Sequence, residues 1–523
     1  MTNHLKLTIS RVSFFVMNSS LLLLLILLSA SCLCAQVEQT ARWEIPLNQD
    51  GEVYKVATAD SLGAVVYSKN QGQSIDQLEL IRLDTTLNEV WKGYINLEKF
   101  LVVSFVHFFE KKLYLLLSYA NNPTLGFLLI ELNVSDGRYQ THTVKNIIPF
   151  KSTEFTATKS ALLIGGYYNY RPIVLHYSTT RKQSKILPGF FNEPGEINQI
   201  KVNDDFSVDI IISANNTQKK RSLWVRNYNH EGDLQKTTVL EPQEKRSLLF
   251  GRSIKTTDDH MLVAGVYGRN TDYSRGIFVS TISPYGEYTT RYYNFADLQN
   301  FFRFMRVNQE RRVKQRIERR KVKGKKIKFS YRFLVHEVIP YRDQFIMLGE
   351  AFYPRYVYQT RNATTPFYGY QRMSGYQFYS PYRSDQIFDG FQYTHAIVLG
   401  FDKEGKVKWD NSFEINDAKS FQLEQFVKIA PSDDHIDLIY FYQNLIRSKV
   451  IQGSQVLEGK TADPIKMLHS TDYVSKKDNQ PNQLQYWYGN HLLASGFQNI
   501  RVSPDRLADV KKRVFFIIKI RYR

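Results

Sequence analysis

The chain has 523 residues with 34 Tyr, 34 Phe and only five Trp, and carries a formal net charge of +19. Its two cysteines, Cys32 and Cys34, both precede Gln36, so a chain cleaved after Ala35 has none. That excludes thiol catalysis, thiolate metal sites and disulfide staples from the remainder, which is long enough for an ordinary hydrophobic core.

The N-terminus reads as an export signal. Lys6 and Arg11 precede an unbroken apolar run over 21–28, followed by the small residues Ser29, Ala30 and Ser31. The apolar core is too short for a membrane span, and no stop-transfer pattern follows. Cleavage after Ala35 defines residues 1–35 as a signal peptide and places the protein in the periplasm or at the outer membrane. Lipidation at Cys32 is the alternative, although Ser29 stands where a lipoprotein signal prefers Leu; an uncleaved anchor is the third reading.

Downstream, short apolar or alternating runs between Gly, Asn, Asp and Pro turns predict strands, and they come in fours. The first unit, 53–97, has strands at 54–58, 63–67, 78–83 and 90–95. The second, 101–145, has them at 101–109, 113–119, 126–132 and 139–144. The third (153–188) shows 161–168 and 173–177, the fourth (196–242) shows 208–214 and 223–228, and the fifth (248–295) shows 261–267 and 276–282. The sixth begins near Tyr331 with 333–339 and 345–352, resumes at 396–401 and ends on 409–415. The seventh, 423–465, has 426–430, 436–441 and 447–452; the eighth offers only 485–488, 492–497 and 514–520.

Two hairpins carry the repeat most clearly: Leu83-Asp84-Thr85-Thr86-Leu87-Asn88-Glu89-Val90-Trp91 and Phe401-Asp402-Lys403-Glu404-Gly405-Lys406-Val407-Lys408-Trp409. In each, a strand ends at Asp, the chain turns, and the next strand reaches Trp seven residues after the Asp. Weaker copies turn at Asp136-Gly137, Glu231-Gly232 and Tyr285-Gly286. Four-strand units repeating every ~40–50 residues predict an all-β chain folded as one β-propeller over 36–523. Eight blades is the count, with seven the alternative because the third and seventh units are poorly marked. Trp43-Glu44-Ile45-Pro46-Leu47 resembles the fourth strands of the first and sixth units. It therefore supplies the strand the eighth unit lacks and closes the ring like velcro.

The segment Phe401-Asp402…Gly405-Lys406-Val407-Lys408-Trp409 resembles repeats of the PQQ-like propeller superfamily. The match is full at Asp402, Gly405 and Trp409 and partial at Asp84 and Trp91, where Leu87 replaces the Gly; it covers two of the eight repeats. The resemblance implies that Asp and Gly close the hairpin and that Trp docks between blades. Quinoprotein dehydrogenases of that superfamily add a metal-bound quinone and often a vicinal disulfide, which a mature chain without cysteine does not fit. No cofactor is expected, and the chain is more similar to the non-catalytic branch, exemplified by the propeller lipoprotein of outer-membrane β-barrel assembly. Its Tyr-rich blades and Ala-Gln cleavage site also resemble exported propellers of Bacteroidetes.

Two stretches lie outside the blade plan. In the first, 296–330, residues 303–328 hold 13 Lys or Arg against Glu310 and Glu318, a local net charge of +11. Leu298, Phe301, Phe302, Met305, Val313 and Ile317 recur at three- and four-residue steps, which predicts an amphipathic helix ended by Gly324. Such a run is either a solvated loop or a basic arm for an anionic surface: lipid head groups, lipopolysaccharide phosphates or an acidic protein. Nucleic acid is not an expected partner of an exported protein. Arg311, Arg312, Arg319 and Arg320 are the candidate contacts.

The second stretch, 353–393, splits the sixth blade. With Phe352 it holds 14 Tyr or Phe in 42 residues, interleaved with Arg355, Arg361, Arg372 and Arg383 and broken by Pro354, Pro366 and Pro381. It either folds back over its own propeller or presents a recognition surface; tyrosines at this density also stack on sugars. Tyr368, Tyr370, Tyr376 and Tyr379 are the candidate contacts.

No linear motif of a metalloprotease, serine hydrolase, phosphate-binding loop or calcium loop occurs, so no catalytic or metal residue is assigned. Asp258-Asp259-His260 and Asp433-Asp434-His435 repeat one tripeptide between first and second strands and read as tight turns. Asp84 and Asp402 read as hairpin closures rather than catalytic carboxylates. The expectation is a non-catalytic binding or scaffold subunit of a cell-envelope complex, serving outer-membrane assembly or secretion through an envelope protein partner. A glycan-binding or glycan-active propeller enzyme is the alternative.

Overall fold

The computed structural model describes residues 37–522 apart from 48–51, 123, 191–193, 270–272, 326, 328, 330, 359–385, 477–481 and 503–509. The predicted signal peptide with Cys32 and Cys34, and the four candidate tyrosines Tyr368, Tyr370, Tyr376 and Tyr379, lie outside these residues.

Eight antiparallel sheets follow one another along the chain, seven of them built in strict sequence order from the innermost strand to the outermost. This is an eight-bladed β-propeller. Blade 1 is Tyr54–Thr58, Ala64–Asn70, Asp76–Leu83 and Glu89–Leu97. Blade 8 runs outward from Gln483–Tyr486 through His491–Val502 and Val510–Tyr522, and its outer strand is Val37–Pro46 from the other end of the chain. In that closing pair Trp43 lies opposite Ile517 and Ile45 opposite Phe515.

Burial explains which strands could be read in advance. Middle strands are packed between neighbouring blades on both faces, so Met261–Gly268 is buried throughout and Ala161–Tyr168 nearly so; both read as continuous apolar runs. Outer strands such as Glu89–Leu97 are mostly exposed. The strands that the sequence left unmarked in blades 3 to 5 are of the inner and outer kinds: Lys151–Ala157, Gln183–Ile186, Gly195–Val202, Leu234–Leu240, Ser247–Lys255 and Tyr288–Asn294. Each core is shared between neighbours. Val65, Leu78, Leu80 and Ile95 of blade 1 pack with Leu113, Leu115 and Leu117 of blade 2.

The repeated hairpin has a physical cause. Asp84 Oδ1 accepts hydrogen bonds from the Thr86 and Asn88 amides at 2.8 and 2.9 Å, and Asp402 Oδ1 accepts one from the Lys406 amide at 2.8 Å. The fourth turn position is left-handed, at φ +75° in Gly405 and +68° in Leu87. Asn133, Asn229 and Ser283 occupy the Asp position in blades 2, 4 and 5, each accepting from a turn amide. The Trp three residues into the next strand reaches the adjacent blade. Trp91 Nε1 donates to the Val134 carbonyl at 3.0 Å, and Trp43 Nε1 to Glu89 Oε1 at 3.1 Å. The Trp409 ring lies against Gly453 of blade 7, while its Nε1 donates to Gln344 of its own blade.

Candidate functional site

The connections from second to third strand and from one blade to the next leave the same face of a propeller. Both insertions therefore emerge from one face, beside blade 6. The first does not form a single amphipathic helix. Phe295–Asp297 and Phe301–Phe304 are short 3-10 turns, and the α-helix starts only at Val307 and ends at Val322. Gly324, at φ +60°, follows that end.

Tertiary bonding causes the break. Asp410, on the outer strand of blade 6, accepts from the Gln299 and Asn300 amides at 2.9 and 2.7 Å. Asn300 Nδ2 donates to the Asp410 carbonyl, and Ser412 Oγ donates to the Asn300 carbonyl. Leu298, Phe301 and Phe302 are thereby drawn into the core and away from the helix face predicted for them. Burial raises the Asp410 pKa, against the opposing pull of the backbone amides.

These aromatics enclose a histidine. His395, fully buried on the third strand of blade 6, stacks on Phe304 at 3.6 Å and meets Phe301 edge-on at 5.2 Å. Its Nδ1 bonds Thr394 Oγ1 at 2.9 Å, and its Nε2 has no hydrogen-bond partner among the described residues. Burial lowers its pKa to about 3, so the ring is neutral and acts as part of the aromatic floor.

The helix Val307–Val322 rests on the propeller through buried Ile317 and half-buried Val313. Arg311, Arg312, Arg319 and Arg320 are all exposed. At 3.6 residues per turn, Arg312 and Arg319 stand in line two turns apart, with Arg311 and Arg320 to either side of that line. Lys314 bonds Glu310 at 2.6 Å, and Lys321 lies 3.6 Å from Asp297.

The second insertion begins and ends as strand, where the sequence reading put a loop. The second strand of blade 6 runs Gln344–Tyr358 and the third Gln386–Phe401, paired out to Tyr358 opposite Gln386. This two-stranded ribbon is held by Tyr356 against Phe388, Phe388 against Phe391, and Asp389 between Arg355 and Lys419. A cleft of about 520 Å³ lies where the roots of the two insertions meet; Phe304, Met305 and Tyr331 line it from one side and Tyr353, Pro354 and Tyr356 from the other.

Sequence reasoning missed a second polar cluster, on and behind the innermost strands. Glu337 accepts from Gln425 Nε2 at 2.8 Å and from the Tyr486 hydroxyl at 2.7 Å, and Tyr486 in turn accepts from the Ile429 amide. Glu350, fully buried, accepts from the Phe426 and Val427 amides at 3.2 and 2.7 Å and pairs with His336 at 2.8 Å. Lys428 lies over the Tyr486 ring, and Arg252 donates to the Val335 carbonyl. Burial lowers the pKa of Lys428 and Arg252 and raises that of Glu154, whose charge the Arg252 guanidinium favours. These groups tie blades 5 to 8 together. They come from positions up to 234 residues apart, Arg252 to Tyr486, so no local motif announces them.

Among the described residues, no three His, Cys, Asp or Glu side chains converge to hold a metal ion. The two Asp-Asp-His tripeptides sit in hairpins between first and second strands: Thr256 Oγ1 bonds Asp258, and His435 lies between Asp434 and Asp437. No helix among the described residues is long and apolar enough to cross a membrane.

No family model matches the chain, and no curated protein does. Among solved structures it is similar to a polysaccharide lyase at 8% identity, over 92% of this chain and 100% of that one, with a TM-score of 0.41. It is also similar to the β-propeller domain of the Trilobed protease from Pyrococcus furiosus, at 8% identity over 80% and 93% of the two chains, with a TM-score of 0.35. A protein from Lactobacillus plantarum aligns at 8% identity over 76% and 96%, with a TM-score of 0.37. At these values the likenesses assign no activity.

Proposed function

We propose that the protein is an exported, non-catalytic binding or scaffold subunit of a cell-envelope complex, serving outer-membrane assembly or secretion. Its hairpins resemble those of PQQ-like propellers, and a mature chain without cysteine fits the non-catalytic branch of that superfamily. One observation carries this reading: the cationic helix and the aromatic ribbon are rooted together on one face, at a shared cleft. The inner polar cluster supports it, because its carboxylates already take hydrogen bonds from backbone amides and a phenol that hold blades together.

In this reading the arm and the ribbon do different work. The exposed arginines steer an anionic partner, lipid head group or lipopolysaccharide phosphate toward the face, an attraction that salt weakens because the Debye length is about 8 Å at physiological ionic strength. The aromatic insertion holds the partner by burial, which salt hardly affects.

Purification of the native protein in mild detergent tests the proposal. Stoichiometric recovery of an outer-membrane partner is expected, whereas a monomer that turns over oligosaccharide would reverse it in favour of the enzyme reading. Replacing Arg311, Arg312, Arg319 and Arg320 with Ser is expected to slow association, and removing 357–390 to abolish stable binding while the propeller stays folded. The mass of the mature N-terminus distinguishes Gln36 from a lipidated Cys32; Met1 intact on a cytosolic protein would refute export.

A further inference from the structure

The cleft at the root of the two insertions has a chemistry that the partner-protein reading does not use. Its wall is Tyr273, Phe304, Met305, Tyr331, Arg332, Phe352, Tyr353, Pro354, Tyr356 and Thr394. Its volume of about 520 Å³ falls in the range of small-molecule sites, roughly 300–1,000 Å³. The aromatic surface is graded: phenylalanines lie toward the core, and tyrosines form the mouth, with Tyr273 45% and Tyr353 49% exposed. The floor is prebuilt, because Phe304 is held flat against His395 by stacking at 3.6 Å. Such preorganisation favours affinity for a rigid ligand.

Three observations select the occupant. A peptide strand adding to the ribbon would need a continuous edge. The ladder between the first and second strands of blade 6 ends at Arg332 opposite Phe352, which leaves Tyr353–Tyr358 without a neighbour on that side among the described strands. That edge is blunted, since Pro354 has no N–H to offer and the ribbon bulges between Pro354 and Tyr356. An acyl chain would gain nothing from a mouth of phenol hydroxyls and a guanidinium. Sugar rings suit it: their C–H faces pack on aromatic planes while their hydroxyls meet polar rims.

Charge narrows the class further. The Arg332 guanidinium lies 5.2 Å from the centroid of the Tyr273 ring, on the wall itself. Phe304 and Met305 lead directly into the helix beginning at Val307, whose first turn has no side-chain cap. The described part of the basic stretch, 303–325, carries a net +9 and has Phe304 and Met305 in the cleft wall. We infer that this cleft is a carbohydrate site for a short acidic oligosaccharide, with sugar rings stacked on Tyr273, Tyr353 and Tyr356 and a carboxylate or sulfate held at Arg332. The inference stands apart from the identity of any protein partner.

Calorimetry on the full mature chain tests it, with tetragalacturonate, its fully methyl-esterified form and a sulfated tetrasaccharide as probes. At least one acidic probe is expected to bind with a sub-millimolar Kd. Esterification, which keeps the rings and removes the charge, is expected to weaken tetragalacturonate several-fold. Tyr353→Ala is expected to weaken binding about tenfold and Tyr353→Phe far less, because the ring supplies the stacking. Arg332→Gln is expected to remove the preference for acid over ester. Tyr353 is half exposed and Arg332→Gln keeps a polar side chain at the end of its strand, so each variant should melt like the parent. Competition by lipopolysaccharide would assign the sugar to a lipid-linked source and its absence to free polysaccharide; either outcome supports the site. Failure of all acidic probes to bind, equal binding of the ester, or binding indifferent to Tyr353→Ala in a folded variant would overturn it.

Discussion

Blades 1 and 6 share one hairpin and differ at the other end. Between third and fourth strands, both place an Asp that ties the turn amides, a left-handed fourth residue and a Trp that reaches the next blade. At the opposite face blade 1 joins its second and third strands through residues 71–75, whereas blade 6 extends them into a ribbon that brackets 359–385. Seven residues before the shared Asp, blade 1 has exposed Gln77 and blade 6 has His395, buried under the first insertion. One face is therefore held to a pattern because each turn is its neighbour's packing surface. The other face repeats no such turn, and its connections vary in length and composition from blade to blade.

The largest test of that contrast is removal of the closing strand, 37–46. It pairs along Val510–Tyr522, and its loss is expected to lower the melting temperature by ~10 °C or more, at roughly 2–4 °C per kcal/mol for a domain of 150–250 residues. Deleting 359–385, on the variable face, should leave thermal unfolding nearly unchanged. Equal effects would erase the distinction between the faces.

Trp91→Ala and Trp409→Ala should each lose about 2–4 kcal/mol in denaturant unfolding, as large-to-small changes at packed sites do. Trp91 should be the worse of the two, because its indole serves the carbonyl of fully buried Val134, whereas that of Trp409 serves the half-buried Gln344 side chain.

Blade 6 adds a pH-dependent contribution from a buried histidine, a residue type that blade 1 does not contain. The folded pKa of His395 is lowered to about 3 from an ordinary 6.5, so the unfolded chain binds the proton first as pH falls. Stability from this residue is complete above about 6.5 and declines between 6.5 and 3. His395→Phe should flatten that limb in a stability-against-pH series, and an unchanged slope would show that another group carries it.

The smallest expected effects compare the fourth turn position. Gly405→Ala forces a side chain into φ +75° with its Cβ 3.0 Å from Val279 Cγ1, and should lose about 1–2 kcal/mol. Leu87 already bears that strain but is buried in the core between blades 8 and 1. Leu87→Gly should therefore destabilise by about 1 kcal/mol, burial of a Leu at about 1.5–3 kcal/mol outweighing the relief. A more stable Leu87→Gly protein would mean that the turn, and not the packing, governs this position.

What could be read beforehand followed the same division. The Asp402–Gly405–Trp409 spacing was legible because every atom of that turn lies within eight residues. The middle strands were legible because both faces are buried. The inner strands Lys151–Ala157 and Gly195–Val202 were not, since residues such as Glu154 and Gln199 interrupt their apolar pattern. At the candidate site the four arginines lie exposed on a helix, but the cleft was invisible: its lining comes from five segments between Tyr273 and Thr394.

The sequence by itself determined that the chain is a ring of four-stranded blades, that Trp43–Leu47 supplies the missing strand, and that charge and aromatics gather beside blade 6. Those properties are written in local periodicity and spacing, which need no knowledge of what lies across space. Only the tertiary structure decided where the helix starts, because Asp410 claims the Gln299 and Asn300 amides from 110 or more residues away. It alone brought Arg252, Glu337, Glu350, Lys428 and Tyr486 together, and put Tyr273 and Tyr353 in the wall of one cleft. A propeller places residues from successive blades side by side at its centre and on its faces, so contacts there join positions that no local pattern connects.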